Sequence, residues 1–474
     1  MRVLIINPPS FDDIVYIKEG RCEARKGAQI TQPISIGVIA ALLEDHGFET
    51  DLFDFMINSV PIDKMKKIFS GNYALAFVNT TTPTFKFDKR TAQLIRESNK
   101  KIKICGIGTI VTALPEEALK DKSFDIVLRR EPEYTALDIS KLFAKKRNPS
   151  IKDLSKVKGI SFQVDGKIFH NELRPFIEDL NKLPFPKRNI LDSKKFIEPK
   201  SGEPFTVIRT SRGCPFDCIF CTAGSYYGKK WRTRSVENIL QEVEEVLKRY
   251  KIRNFLFLSD TFTANKEKIR QLCDEIIKRK LDIRWVSNSR VDTLDLQTAQ
   301  LMRRAGCWMV SFGVESGSKR ILRIIKKNLS TKKSIEAAKI CRKTGLQSYM
   351  YFIIGFPGET KKSIKETVSL AIRINPDFAR FYFAVPLPGS ELYDTAVKNG
   401  WLVSKDWNKY DLADCPVLDA SKVPYNQIKK EIRNAYIRFY LRPAYFSRVI
   451  KNLNIREMTN LTKTAIEYFS RWSK

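Results

Sequence analysis

Histidine is almost missing from this chain: in 474 residues there are two, His46 and His170, far apart. That scarcity speaks against a metal centre built on histidine ligands and against Ser-His-Asp catalysis. Long apolar runs are missing as well. No stretch approaches the roughly 20 apolar residues of a spanning helix, and the opening "MRVLIINPPS" stops at Asn7-Pro8-Pro9, too short for a secretory signal. The expectation is an intracellular, reduced protein whose nine cysteines serve as core residues or metal ligands rather than disulfides. Acidic residues are in short supply too, with 53 Asp and Glu against 84 Lys and Arg, for a net charge of +31. This balance suits an anionic partner such as a nucleic acid, a phospholipid surface or a phosphorylated substrate. A lysine-rich proteome would produce it without one.

What is present reads as an α/β chain in several parts. Over residues 1–143 short apolar strands alternate with amphipathic helices: "RVLIINPP", "TDLFDFM", "YALAFVNTTTPTF", "KIKICGIGTIV" and "FDIVLRREPE" are the strands, and "SIGVIAALLEDHGFE" is a helix. That order predicts a doubly wound parallel sheet with ligands outside the carboxyl ends of its strands. Residues 144–203 read as a connector holding a hairpin, "GISFQVDGKIFHNE", with Asp165-Gly166 at the turn. Residues 204–402 alternate again, through "FTVIRTS", "NFLFLSD", "RWVSNSR", "MVSFGVES", "SYMYFIIG" and "ARFYFAV". Six such units predict a partial (β/α)6 barrel with its functional loops at the strands' carboxyl ends. Residues 403–474 read as a basic, aromatic helical region.

The loop after the first barrel strand, "TSRGCPFDCIFCTAG", carries Cys214, Cys218 and Cys221. A structural zinc site would need a fourth Cys or His at comparable spacing, and none is there. Three thiolates on one loop suit a 4Fe-4S cluster that leaves one iron open to a small ligand. The remaining cysteines are scattered singly and read as small buried residues, with Cys22, in a polar loop, as the exception.

The CxxxCxxC order with Phe220 before the third cysteine resembles the signature of the radical S-adenosylmethionine (SAM) superfamily. The resemblance implies that Cys214, Cys218 and Cys221 hold the cluster, that the open iron chelates SAM, and that one electron cleaves SAM to a 5′-deoxyadenosyl radical. "LSDTFT", "SNSRVD", "FGVESGS" and "IIGFPGET" stand where that family places its SAM-contacting segments. Asp260, Arg290, Glu315 and Gly355 are thereby expected at the methionine, carboxylate, ribose and adenine portions, with Phe220 beside the cofactor.

The sheet placed before such a barrel is similar to the cobalamin-binding domain of the subfamily that includes anaerobic cyclases and lipid methylases. The resemblance implies a corrin cradled by strand-end loops, here Asn7 to Ser10, Asn79 to Thr84 and Gly106 to Thr109, with Asn7, Thr81, Gly106 and Gly108 as contacts. The Asp-x-His-x-x-Gly motif that ligates cobalt elsewhere is missing, which implies an open lower face. Two cofactors would divide the labour, since the radical abstracts an unactivated hydrogen and methylcobalamin delivers a methyl group.

After Tyr425, Lys and Arg alternate with Phe439, Tyr440, Tyr445, Phe446, Tyr468, Phe469 and Trp472. Such helices suit a membrane interface, or else pack their aromatic face over the barrel. The resulting expectation is a cytoplasmic enzyme, held peripherally on the inner face of the membrane, that forms carbon–carbon bonds on a hydrophobic, lipid or isoprenoid substrate. It would draw electrons from a ferredoxin or flavodoxin, without nucleic acid. The alternatives are a methylthiotransferase acting on tRNA, which would need another three-cysteine site, and a non-catalytic iron–sulfur or cobalamin carrier.

Overall fold

The computed structural model describes residues 1–12, 14–19, 23–25, 31–57, 60–188, 195–198, 201–443 and 445. Strands β1 (Arg2–Asn7), β2 (Glu49–Asp54), β3 (Leu75–Thr80), β4 (Lys103–Gly108) and β5 (Ile126–Leu128) pair in parallel in the order β2-β1-β3-β4-β5. Val3 and Ile5 enter one apolar cluster with Ile36 and Ile39 of helix α1 (Ile34–Glu44), while Leu4 and Ile6 enter another with Phe85 and Ile95 of α2 (Phe85–Ser98). Both faces of the sheet are therefore covered, which is why its strands are continuous apolar runs rather than alternating ones.

The hairpin expected in the connector belongs to this sheet instead. Its strands β6 (Ile160–Val164) and β7 (Lys167–His170) run antiparallel, and β6 pairs with β5, giving seven strands. β5 is only three residues long. The hairpin satisfies its open backbone edge and buries Ile160 and Phe162 in the same core.

The second sheet holds β8 (Phe205–Arg209), β9 (Asn254–Leu258), β10 (Arg284–Arg290), β11 (Cys307–Glu315), β12 (Gln347–Ile354) and β13 (Phe378–Phe383), all parallel and in chain order. These are the six expected strands. Helix α3 (Val236–Tyr250) covers the outside and starts where Ser235 accepts the backbone N–H of Asn238. Its Glu242 is buried between Arg188 of the connector and Arg234. The two sheet units are joined by more buried ion pairs: Arg209 with Glu19 at 2.5 Å, Arg212 with Glu131 at 3.1 Å and Glu133 at 2.5 Å, and Arg232 with Glu131 at 2.9 Å.

In the C-terminal region, residues 403–424 are mostly irregular, with one short helical turn at Trp407–Lys409, and a helix follows, α4 (Tyr425–Tyr440), whose Ile428, Ile432, Ala435, Tyr436 and Phe439 enter the barrel's core. Tyr436 Oη accepts from the Phe381 N–H at 3.0 Å and donates to the Phe381 carbonyl at 3.1 Å; Tyr440 does the same at Ala379. β13 is the last strand of the open sheet, so these hydroxyls satisfy an edge that would otherwise seek another strand. This much of the aromatic face is used in packing. Phe446, Tyr468, Phe469, Trp472 and Cys22 lie outside the described residues. Among the described residues no helix is long and apolar enough to cross a membrane.

Candidate active site

The cysteine loop leaves β8 and is pinched at its base by the short antiparallel pair Ser211–Arg212 with Arg232–Thr233. Gly213 has φ +86°, and a Cβ there would lie 2.2 Å from the Lys230 carbonyl oxygen, so only glycine fits. Its N–H donates to Asp260 Oδ2 at 2.9 Å, and the Cys214 N–H donates to the Gly228 carbonyl at 3.2 Å. The Ile219 N–H bonds to the Ile325 carbonyl at 3.2 Å, and the Leu392 N–H to the Ile219 carbonyl at 2.8 Å. Phe220 packs 5.4 Å from Phe356, beyond the end of β12. The loop is thus tied to the segments after β9, β11 and β12.

Cys214, Cys218 and Cys221 are half-buried, whereas Cys105, Cys273, Cys307, Cys341 and Cys415 are buried. Burial pushes the Cys341 and Cys415 thiols up to about 12, which suits inert core residues. Burial also pushes Cys218 up, with Glu315 and Cys214 adding to the rise and Lys327 and Arg290 opposing it. Among the described residues no group of three His, Cys, Asp or Glu closes on a single point. A cluster binds each thiolate through a different iron, so its sulfurs need no common point as they would around one zinc ion. Three half-exposed thiols on a loop fixed by backbone hydrogen bonds fit such a cluster.

The other expected residues gather here. Asp260 anchors Gly213, and its neighbour Thr261 places Oγ1 3.8 Å from Cys214 Sγ. Arg290 at the end of β10 lies 3.5 Å over the Phe216 ring and makes a two-point pair with Asp292 at 3.0 and 3.1 Å. Glu315 ends β11 fully buried at φ +67°, with Oε1 2.9 Å from Lys327 Nζ and Oε2 without a partner among the described residues. Gly355 follows β12 at φ +100°, and a Cβ there would lie 3.3 Å from the Ile428 side chain of α4. Lys327, Thr261 and Phe216 escaped sequence reading, because nothing near them in sequence marks the side chains they meet.

Inside the barrel, strand residues alternate in a telling way. Helix-facing Phe255, Phe257, Phe312, Met350, Phe352 and Phe381 are buried, while Leu256, Leu258, Val286, Ser311, Tyr349 and Tyr351 on the inner face are only half-buried. A closed barrel fills its interior with branched side chains. This one leaves part of its inner face accessible, aliphatic at β9 and β10 and aromatic at β12, where Tyr349 and Tyr351 stand within 6 Å of one another and, in successive pairs, of Phe378 and the buried Tyr382 of β13.

At the first sheet's strand ends, Asn79 donates to Asn7 Oδ1 at 3.2 Å and Asn7 donates to Asp54 Oδ1 at 2.7 Å. Burial pushes Asp54 up to about 6. The Thr81 N–H donates to Asp88, which also forms a fully buried ion pair with Lys18 at 2.5 Å. A Cβ on Gly108 would lie 2.1 Å from the Thr80 carbonyl oxygen, so strand packing alone requires that glycine. Phe124 and Val111 fill the space over Gly106, which gives it a packing position rather than an open one. The rim carries short side chains, with Ser10 and Thr109 half-exposed, and this fits a flat cofactor laid on backbone. Neither histidine is near: His46 bonds the Leu42 carbonyl at 2.8 Å, and His170 pairs with Ser161 and Glu116.

Residues 208–371 match the model of the radical SAM superfamily, and residues 21–140 match that of the B12 binding domain. An uncharacterized methyltransferase of Pyrococcus horikoshii is 33% identical over 94% of this chain and 93% of its own length. The anaerobic magnesium-protoporphyrin IX monomethyl ester cyclase of Rubrivivax gelatinosus is 26% identical over 88% of this chain and 76% of its own. Among solved structures, the cobalamin-dependent S-adenosylmethionine radical enzyme OxsB with aqua-cobalamin superposes with a TM-score of 0.75, at 18% identity over 99% of this chain and 72% of that one.

Proposed function

The chain belongs to the radical SAM superfamily, in the branch with a B12-binding domain before the barrel, and on that premise we propose that it forms a carbon–carbon bond at an unactivated carbon of a hydrophobic, lipid or isoprenoid substrate. It is an enzyme of the methyltransferase or cyclase type, with a 4Fe-4S cluster, SAM and cobalamin as its cofactors and a need for an electron donor. When bound, these groups supply the deoxyadenosyl radical and a transferable methyl group.

The chain's own part is positional. Cys214, Cys218 and Cys221 hold the cluster on a loop fixed by Asp260. Arg290, Glu315 and Gly355 line the SAM side with Phe220, while Asn7, Thr81 and Gly108 stand at the corrin side. The observation that carries the reading is the convergence of Asp260, Thr261, the Ile325 carbonyl and Phe356, from after three different strands, on one cysteine loop. The half-exposed aromatic and aliphatic lumen supports an apolar substrate, and the basic, aromatic end of the sequence suits collecting it at an anionic bilayer on the cytoplasmic side.

Anaerobic reconstitution with iron, sulfide and hydroxocobalamin tests this. Deoxyadenosine and S-adenosylhomocysteine should both form from SAM once a substrate is found, and a low rate of deoxyadenosine release should precede it. A protein that holds cluster and corrin yet never cleaves SAM would sink the reading.

A further inference from the structure

Lys327 is assigned to nothing so far. It is only 6% exposed, lies on the turn after the short helix Lys319–Ile324, and has left-handed residues on both sides, Lys326 at φ +52° and Asn328 at φ +48°. Such backbone is costly for residues with a Cβ and persists where the surroundings impose it. Here they do. The turn accepts the Ile219 N–H of the cysteine loop at the Ile325 carbonyl, and Arg290 reaches the Lys327 carbonyl at 3.4 Å. The ammonium lies 2.9 Å from Glu315 Oε1. The space exists because position 313 is glycine: a Cβ there would stand 2.2 Å from Glu315 Oε1 and 3.0 Å from Lys327 Nζ. Glu315 Oε2 is left buried with no partner among the described residues. An unsatisfied buried carboxylate oxygen is expensive, and a ligand hydroxyl that reached it would relieve the cost.

We propose that Lys327 is a positioning residue for the cofactor site: it holds Glu315 by one oxygen so that the other accepts a ribose hydroxyl of SAM. The inference rests on the radical SAM reading. An isolated carboxylate in this position would be buried without its countercharge, so the pair acts as a unit.

The test uses the full-length protein with its cluster reconstituted, comparing Lys327→Met, Lys327→Arg and the double variant Lys327→Met/Glu315→Leu. Equilibrium dialysis gives the affinity for SAM and for 5′-methylthioadenosine, which keeps the ribose and lacks the amino-acid end. Lys327→Met should bind both nucleosides at least tenfold more weakly, and Lys327→Arg, which keeps the charge on Glu315, should restore binding to within about threefold of the parent. If Lys327→Met does not fold, the double variant, which leaves no buried orphan charge, should fold and still bind both nucleosides weakly. Parental affinity for 5′-methylthioadenosine in Lys327→Met or in the double variant, or no recovery in Lys327→Arg, overturns the inference. Absence of SAM binding by the parent would instead overturn the reading beneath it.

Discussion

The two sheets of this protein are built from the same alternation of strand and helix, yet they use it in opposite ways. In the first, β1 and β3 bury nearly every residue, and the polar groups at their ends satisfy one another through Asn7, Asp54, Asn79, Lys18 and Asp88. In the second, helix-facing residues are buried while alternate side chains along part of β9 to β12 remain half-accessible, and the strand ends present thiols, a carboxylate oxygen with no partner among the described residues and paired cations around one loop. A flat sheet covered on both faces hides its side chains and can offer a ligand mainly strand-end backbone. A curved sheet covered only outside leaves a lumen whose side chains can select and react.

The sharpest way to break this comparison is to exchange small for smaller in each half. Replacing Cys214, Cys218 or Cys221 by Ala should abolish cluster absorbance and deoxyadenosine formation. Cys105→Ala, inside the first sheet, should cost about 1 kcal/mol of stability with the cluster intact. Two glycines in left-handed backbone make a second contrast. Gly213→Ala drives a methyl into the Lys230 carbonyl and should displace the cysteine loop, losing most of the bound iron. Gly47→Ala, at φ +80° with nothing within 4 Å, should cost only about 1 kcal/mol in a denaturant melt.

The two halves also each bury a carboxyl group whose proton is held too tightly. Burial pushes Glu359 in the barrel up to about 7 and Asp54 in the first sheet up to about 6. The folded protein keeps these protons where the unfolded chain has released them. Stability should therefore fall as pH rises from the ordinary carboxyl range through those values, by on the order of 3 kcal/mol for each group. Glu359→Gln should flatten the upper part of the decline, between about pH 6 and 7, and Asp54→Asn the lower part, as read from urea midpoints across pH 4.5 to 8. The smallest effect is expected at the barrel's edge, where Tyr436→Phe removes the bonds to Phe381 and should cost about 1 kcal/mol without changing cofactor content.

Much of this was legible in advance for local reasons. Continuous apolar runs such as "RVLIIN" announce strands covered on both sides, and "RWVSNSR", with its alternation, announces one covered on a single side. The spacing of Cys214, Cys218 and Cys221 on the loop after β8 carries its chemistry without any fold at all. The hairpin is legible as a hairpin but its place beside β5 is not, because a turn sequence specifies its own two strands and says nothing about which edge they join. Phe439, Tyr440 and Tyr445 were visible as an aromatic face with two fates open. Only the position of β13 shows that Tyr436 and Tyr440 spend their hydroxyls on its edge.

The sequence by itself determined the order of the strands, the place of the cysteine loop and the kind of chemistry three thiols can hold, since each is written in residues close together in the chain. Tertiary structure alone decided that Lys327 meets Glu315, that Arg212 meets Glu131 and Glu133, and that part of the barrel's inner face stays open. Those pairings join residues 12 to 81 positions apart, and a buried charge has no local signature until the fold brings its partner to it.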